Sequence, residues 1–570
     1  MSYKKGTLSP INWSESLFDT VGPFKLINKE VSKSYNESMV ASLTGAAGAF
    51  AGNKALEAGG SAVDAVLTGA MTNITKGLGS VYSFAGISTL VYYDVESGKV
   101  YSLDASYGKP AIIKTVEEHS SDSTARYVGK DVMVPGFMAG VEAAHKKFGK
   151  LPFDALFEPA IYIAEHGLHV PHDIIPLMQQ NDVGKGFLSK FSESDSLLKQ
   201  PELANTLKNV ADKGAQYMYT GAWGQELVKQ VQENGGDMTI EDLSNYQAIW
   251  EDPFSTDFSG YKVYSAGINS IGGVRVIETL NLLNEAQLSS EKHYAETSKG
   301  TEKILKVLQY NSIVRDDSLV SKYLSEFNMN PSSRVTKAHA EQLWRFMGTE
   351  AWNKVFNAIA QNENEGHGGH TDGMIAVDKQ GNVAVLVYSH AMPIPWGTSG
   401  IKVGGVVIPN AADSPIRSFY ETAKPGNHVA LEMNPTIVLK DGKFSMASAT
   451  IGNDLNTILI QHIINATVYD MTPEASQKAP KILIDAWPGL RNFGIDLPEV
   501  SEYTRLVGSS FNDSVIHSVN QNNIQLVKTE NPMIESITAG TTIIKRDSNS
   551  NQLNGANYPM FPGDIFGSNK

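Results

Sequence analysis

The sequence predicts a mixed α/β protein, with helices concentrated in its front part and strands in its rear part. Three observations carry that prediction. Apolar residues recur at helical spacing through most of residues 39–360, alternating and β-branched runs dominate from Thr371 onward, and a polar, glycine-punctuated stretch (NENEGHGGH, 362–370) separates the two. The 570-residue chain is 41% hydrophobic and only 19% charged, where an average globular chain carries about 25% charged residues. That balance supports a large buried interior and excludes disorder, collagen and coiled coil. Length alone suits about three or four domains, or one large α/β body.

Taken in order, residues 1–38 are polar and irregular and are expected to form a leader or surface arm. No apolar h-region of about 7–15 residues follows the N-terminal lysines, so no signal peptide is expected. The chain reads as cytoplasmic, or as periplasmic or secreted if a signal has been removed. No run of about 18 apolar residues occurs, so no membrane span is expected. From Met39, the small-residue-rich MVASLTGAAGAFAGNKALEAGGSAVDAVLTGAMTNI reads as two closely packed helices divided at Gly59-Gly60. STLVYYDVESGKVYSLD (88–104) alternates and reads as a hairpin turning at Glu96-Ser97-Gly98. Helical periodicity then covers most of 136–230 and about 273–360. After the 362–370 linker, TDGMIAVDKQGNVAVLVYSHA, GIKVGGVVIPN and PTIVLKDGKFSMAS read as strands in a rear part of 200 residues, 371–570.

Composition also limits chemistry. Net charge is −14, from 47 basic and 61 acidic residues, which argues against binding a nucleic-acid backbone. The absence of cysteine removes disulfides, thiolate zinc sites, iron–sulfur clusters and cysteine nucleophiles together.

The most specific local feature is the hairpin that starts at Thr371. Its loop is Lys379-Gln380-Gly381, where Gly381 can adopt the left-handed conformation that a three-residue loop needs. Centred on Gln380, the register sets Ile375 opposite Val385 and Thr371 opposite Ser389, with Cβ atoms about 4.5–5.5 Å apart. A threonine that opens a strand just after a Gly-Gly-His linker, with a hydroxyl across from it, is what an N-terminal-nucleophile hydrolase requires. The Thr371 hydroxyl would attack the His370 carbonyl, and water would then cleave the resulting ester. The freed α-amine, with a reference pKa of about 7.7–8.0, can act as general base for its own hydroxyl. No metal or cofactor is needed. The plain alternative is a β-branched residue entering a strand.

Several motifs occur in order: MVASLTGAAGAFAGNKALEAGGSAVDAVLTGAM, LDASYGKP (103–110), VPGFMAGVEAAHKKFGKLPF (134–153), TDGMIAVDKQGNVAV, GVVIPNAAD, MNPTIVLKDGK and SATIGND. From Met39 to about Thr542 the chain thereby resembles the γ-glutamyltranspeptidase (glutathione hydrolase) family of N-terminal-nucleophile proenzymes. The resemblance implies a four-layer αββα fold, one domain formed by two chains after self-cleavage: a helix-rich large chain, 39–370, and a strand-rich small chain, 371–570. It implies that Thr371 is the nucleophile, that Ser389 contacts it, and that the Ile451 and Gly452 N–H groups take the oxyanion where the family has a Gly-Gly turn. It implies that large and small chains form a heterodimer after cleavage, with a dimer of heterodimers as a further possibility.

The resemblance also marks where this chain departs from γ-glutamyl recognition. The family's carboxylate-binding Arg falls on Ser106, and its acidic amine receptor falls on Ser414, with Asp413 one position earlier and Asn410 nearby. An Asn on the hairpin becomes Ala391, and the carboxylate-binding serine pair becomes Leu431-Glu432. An unpaired Glu432 would repel a free carboxylate, so the expected substrate is a small amide or peptide-like molecule with an altered acyl group. His367, His370, Asp372 and His390 can alternatively be read as ligands of a metallohydrolase, but the spacing matches no mechanistically grounded motif, and no metal is expected. A third reading is an uncleaved relative that acts as a binding protein. Trp396, on the Pro-rich loop HAMPIPWGTSG, is expected to belong to an active-site lid.

Overall fold

The computed structural model describes residues 3–17, 29–111, 128–191, 197–288, 290–314, 324–352, 371–392, 394–412, 416–452, 455–484, 504–521, 525–529 and 539–569. Its frame is a pair of seven-stranded sheets. The strands in chain order are β1 (Val31–Tyr35), β2 (Ser38–Ser42), β3 (Ile87–Asp94), β4 (Lys99–Ala105), β5 (Ile249–Glu251), β6 (Phe254–Phe258), β7 (Tyr261–Ser265), β8 (Thr371–Val377), β9 (Val383–Ser389), β10 (Thr436–Lys440), β11 (Lys443–Gly452), β12 (Ala539–Arg546), β13 (Leu553–Asn557) and β14 (Asp564–Ser568). One sheet runs β14-β2-β8-β9-β3-β4-β5 and the other β1-β13-β12-β11-β10-β7-β6, every neighbouring pair antiparallel.

Alternation along each strand builds three cores. Met39, Val91, Ile375, Val377, Val385, Ile437, Ala447, Ala449 and Ile544 fill the space between the sheets. On the outer face of the first sheet, Met374, Ala376, Leu386 and Tyr388 pack on the helix α2 (Ala62–Lys76), which lies beside α1 (Ala46–Glu57). On the outer face of the second, Val263, Val438, Met446 and Ile543 pack on α3 (Ile271–Ala286), α4 (Ser298–Ile313) and α5 (Leu455–Thr467). The layers are α-β-β-α, and the fold is that of the N-terminal-nucleophile hydrolases.

The front part is less purely helical than its periodicity predicts, because β1 to β7 all precede Thr371. Both sheets are therefore composites of front and rear segments. Conversely, LNTILIQHIINAT in the rear is helical: α5 is buried along nearly its whole length, its polar residues Asn456, Gln461, His462 and Asn465 included, so it presents no solvated face. Residues 3–17, expected as part of a leader or surface arm, are tied to the body of the protein at one place. Leu8 is fully buried, and the Glu158 carboxylate accepts hydrogen bonds from Tyr3 Oη (2.8 Å), Gly6 N (2.6 Å) and Leu8 N (3.0 Å). Residues 31–35 are an edge strand whose alternate side chains face solvent, which is why they read as polar and irregular. The expected linker at 362–370 lies outside the described residues. Among the described residues, no helix is long and apolar enough to cross a membrane.

A buried ionic cluster locks the helical layer over the second sheet. Glu278 of α3 accepts from Arg334 Nη2 (2.6 Å) and Nε (3.0 and 3.1 Å) and from Tyr310 Oη (2.8 Å), and His339 Nε2 stands 3.3 Å away. Burial alone would raise this carboxyl's pKa, but Arg334 and His339 outweigh it and hold it at about 2. Its folded pKa is thus depressed below the unfolded value of about 4.3, so it contributes stability above that value and loses it as pH falls through about 2. Glu278→Gln, which removes the negative charge facing the buried Arg334, should cost about 3–5 kcal/mol at neutral pH. The loss should shrink on acidification from pH 5 towards 2, as measured by urea unfolding.

Candidate active site

Thr371 opens β8 at the middle of the first sheet. The register is the one expected from the loop: Thr371 pairs with Ser389, Ile375 with Val385, and Gly381 has φ +95°. Residues 371, 373, 375 and 377 share one face of β8. Ile375 and Val377 on that face lie in the core between the sheets, so the Thr371 side chain starts on the same side. Directly behind it the two sheets come unusually close: a Cβ on Gly373 would stand 2.6 Å from Ala449 Cβ of β11. The nucleophile candidate thus sits where the inter-sheet gap begins to open.

Ser389 is 3% exposed, and its Oγ accepts from Ala391 N at 2.8 Å. Ala391 follows in the left-handed region, with φ +58°, a conformation that costs a non-glycine residue about 1–2 kcal/mol. The chain turns sharply there because Ser389 pulls the Ala391 N–H back onto its own hydroxyl.

Two anchors hold the hairpin against α2. At its turn, Asp378 Oδ2 accepts from Ala62 N (3.2 Å) at the start of α2, while Oδ1 accepts from Gln380 N and Asn382 N (both 3.0 Å). At its open end, the fully buried Asp372 accepts from Thr44 N (3.0 Å), Gly373 N (2.8 Å), Asn73 Nδ2 (2.8 Å), Tyr388 Oη (2.5 Å) and Ser42 Oγ (3.4 Å). Burial raises the Asp372 pKa, and the hydrogen bonds oppose that rise without cancelling it. The small residues of the front motif make room for this arrangement. A Cβ on Gly45 or Gly48 would fall 2.0–2.4 Å from the Asn73 amide.

At the end of β11, Ile451 pairs with Gly540 and Gly452 with Ala539. The Ile451 side chain joins Leu43 in a small apolar cluster, and Leu43 N donates to Gly373 O at 3.1 Å, so this strand end stands beside the start of β8. Extended geometry at Ile451 sends its N–H and that of Gly452 to opposite sides of the strand. The backbone leaves the extended region at Gly452, φ +112°, a value that suits glycine.

The other expected residues divide into those near this end and those engaged elsewhere. Ser106 lies just past β4, whose Ala105 pairs with Ser88, so it falls in the same row as Ile87, Ser389 and Thr371, about 14 Å from Thr371 at strand spacing. Its hydroxyl is buried and makes no hydrogen bond among the described protein atoms. Leu431 and Glu432 lie over the N-terminus of α3, where Gly272 N donates to Leu431 O at 3.3 Å. Glu432 is not the unpaired charge that sequence suggests: Arg275 Nη1 of α3 donates to it at 2.8 Å. Asn410 is committed to Thr398, whose N donates to its Oδ1 (3.0 Å) and whose Oγ1 accepts from its Nδ2 (2.7 Å), so it braces a loop rather than offering a free amide. His370, Asp413 and Ser414 lie outside the described residues.

The metal reading finds no geometry in its described members. Asp372 faces the helical layer, and the His390 ring is spent on the Ser80 carbonyl (2.5 Å) and on Met392 N (3.0 Å). Trp396 is a core anchor rather than an exposed lid: it is fully buried against Leu78, Met178 and Phe187, with Nε1 bonded to Leu78 O at 3.0 Å. Sequence reasoning missed a second polar cluster near Ser106, in which Asp104 Oδ2 accepts from His428 Nδ1 (2.6 Å) and Asn269 Nδ2 (3.2 Å), and Tyr246 stacks on His428 at 4.8 Å. Nearby, burial and then the Asp104 charge raise Glu251 to about 7. These residues come from four separate segments, and no motif links them.

Comparison with known proteins places these features in a wider set. The family described as Gamma-glutamyltranspeptidase matches residues 48–560. A glutathione hydrolase proenzyme of Pseudomonas aeruginosa is 28% identical over 463 residues, covering 74% of this chain and 78% of its own. Glutathione hydrolase 3 of Arabidopsis thaliana is 25% identical over 466 residues, covering 76% and 70%. Among solved structures, the cephalosporin acylase of Bacillus halodurans superposes with a TM-score of 0.71 at 20% identity, covering 94% of this chain and 96% of that one, a likeness of fold.

The close approach at Gly373 yields a test of the site's packing. Gly373→Ala should destabilise the protein by about 1–3 kcal/mol through overpacking, read as a lowered urea midpoint. Adding Ala449→Gly should recover most of the loss, whereas two independent costs would add.

Proposed function

Because the chain belongs to the γ-glutamyltranspeptidase family, enzymes that cleave amides or transfer their acyl groups, we propose that Thr371 is its nucleophile, uncovered by self-cleavage of the His370–Thr371 bond. The observation that carries this reading is the register of β8 and β9, which sets the first residue of the strand against the Ser389 hydroxyl at the mouth of the inter-sheet gap. In the precursor, Thr371 Oγ adds to the His370 carbonyl carbon, the C–N bond breaks, and the hydroxyl proton passes to the departing nitrogen. Water then splits the ester, leaving a carboxylate on His370 and a free hydroxyl and α-amine on Thr371.

The mature reaction repeats the same chemistry on a substrate amide. The α-amine takes the Thr371 hydroxyl proton as Oγ attacks, and returns it to the leaving amine. Ser389, held by the Ala391 N–H, orients the hydroxyl. The oxyanion is taken at the end of β11 by one of the Ile451 and Gly452 N–H groups, which point to opposite sides of the strand; loss of one such donor typically costs about 100- to 1000-fold in rate. Water or an amine then removes the acyl group from Thr371.

The acyl group is proposed to differ from γ-glutamyl. Ser106 stands where the resemblance expects an arginine, and Glu432 forms a neutral pair with Arg275 instead of receiving a carboxylate. Neither residue offers a free cation to an α-carboxylate, and leaving that charge unpaired on binding is costly.

Two measurements test this reading. Denaturing electrophoresis of wild-type protein should show bands of about 40 and 22 kDa, the shares of 61.8 kDa that fall to 370 and 200 residues, with Thr371→Ala remaining a single chain. An unsplit wild-type band would contradict self-cleavage. For specificity, kcat/KM for an anilide of a linear acyl group without an α-carboxylate should exceed that for the γ-glutamyl anilide by about tenfold or more, and the opposite order would remove the altered-acyl proposal.

A further inference from the structure

Asp372 directly follows the proposed nucleophile in the chain. Its side chain lies on the helix-facing side of β8, fully buried, and both oxygens only accept: Oδ1 from Thr44 N and Gly373 N, Oδ2 from Asn73 Nδ2, Tyr388 Oη and Ser42 Oγ. Such a donor set suits the ionised carboxylate, because hydrogen bonds to the charged form favour it. Yet none of the five donors carries charge. The groups that face it come from β2 (Ser42), the turn into α1 (Thr44), α2 (Asn73), β9 (Tyr388) and the loop holding Tyr82, whose hydroxyl lies 3.5 Å from Thr44 Oγ1. Among the described residues that face it, the titratable ones are the two phenols, and burial together with the Asp372 charge pushes both upward, so they stay neutral. Of the nearest residues beyond, His390 bonds the Ser80 carbonyl, while Ile451 and Gly452 across the gap carry no titratable side chain.

A carboxylate in an apolar core without a countercharge is costly. The chemistry of maturation creates a cation one residue away, since cutting the bond before Thr371 turns a neutral amide nitrogen into an amine that can protonate. We propose that Asp372 is a positioning residue whose countercharge is the α-ammonium of Thr371: before cleavage it fixes the start of β8, and afterwards it favours the protonated amine. This rests on Thr371 being the new N-terminus. It follows that the amine becomes a competent base only above its ordinary range, and that activity rises with pH through the amine's own titration. A purely structural Asp372 would lower rates without moving that titration.

Competitive labelling of the cleaved protein with acetic anhydride across pH 6–10, read by mass spectrometry on the peptide that begins at Thr371, measures the amine's pKa without any substrate. The wild-type amine should titrate above the reference range of about 7.7–8.0. Asp372→Asn should lower the value by about one unit, as removal of a nearby opposite charge does. Tyr388→Phe, which removes a donor but keeps the carboxylate, should leave it near wild type. Equal wild-type and D372N values, or equal shifts in D372N and Y388F, would overturn the inference. If D372N stays uncleaved, a wild-type value at or below the reference would overturn it alone. Absence of any N-terminus at Thr371 would instead bring down the nucleophile assignment beneath it.

Discussion

The docking of the 371–389 hairpin on α2 is the constraint on which the remainder of the site depends. Asp378 holds the turn to the first turn of the helix through Ala62 N, and Asp372 holds the open end near its last turns through Asn73. Two carboxylates thus clamp one strand pair along one helix, and between them Met374 and Ala376 bury against that helix. Once the hairpin lies there, Thr371 must fall at the edge of the inter-sheet gap. The neighbouring strands β2 and β3 then hold β8 and β9 from either side. Because β2 and β3 precede Thr371 in the chain while β8 and β9 follow it, a cut before Thr371 would leave the two pieces joined by sheet ladders and shared cores.

Much of this was legible in the sequence, and the reasons are local. The hairpin register could be read from one three-residue loop with a glycine that takes φ +95°, because a side-chain period of two leaves no freedom once the loop is centred. The α1–α2 pair was readable from its small residues and its Gly59-Gly60 break. What stayed hidden depends on distant pairing. The edge strand β1 shows only alternate burial, and α5 is enclosed by sheet and helices, so that its Asn, Gln and His side chains are buried along with its apolar ones. Side-chain partners were equally unreadable: nothing in sequence joins Glu432 to Arg275, Asn410 to Thr398, or Asp104 to His428, since each pair meets only after the chain has folded.

Those hidden pairings change how the pocket is understood. A glutamate in place of a carboxylate-binding serine suggests repulsion when taken alone, but Glu432 is paired with Arg275 at the N-terminus of α3. Likewise Trp396, which composition and loop setting make look mobile, is instead the fixed point that holds its loop on Leu78 and Ser80. The chain keeps the αββα frame of its family, and the proposed change of acyl group rests on these pairings.

The central claim is that the acyl group passes through Thr371, and trapping that intermediate tests it most directly. Brief exposure of cleaved protein to a p-nitrophenyl ester, followed by acid quench, digestion and peptide mass mapping, should place the acyl mass on the peptide that begins at Thr371. Turnover of the ester with the adduct on any other residue, or with no adduct at Thr371 under conditions that accumulate one elsewhere, would contradict the account.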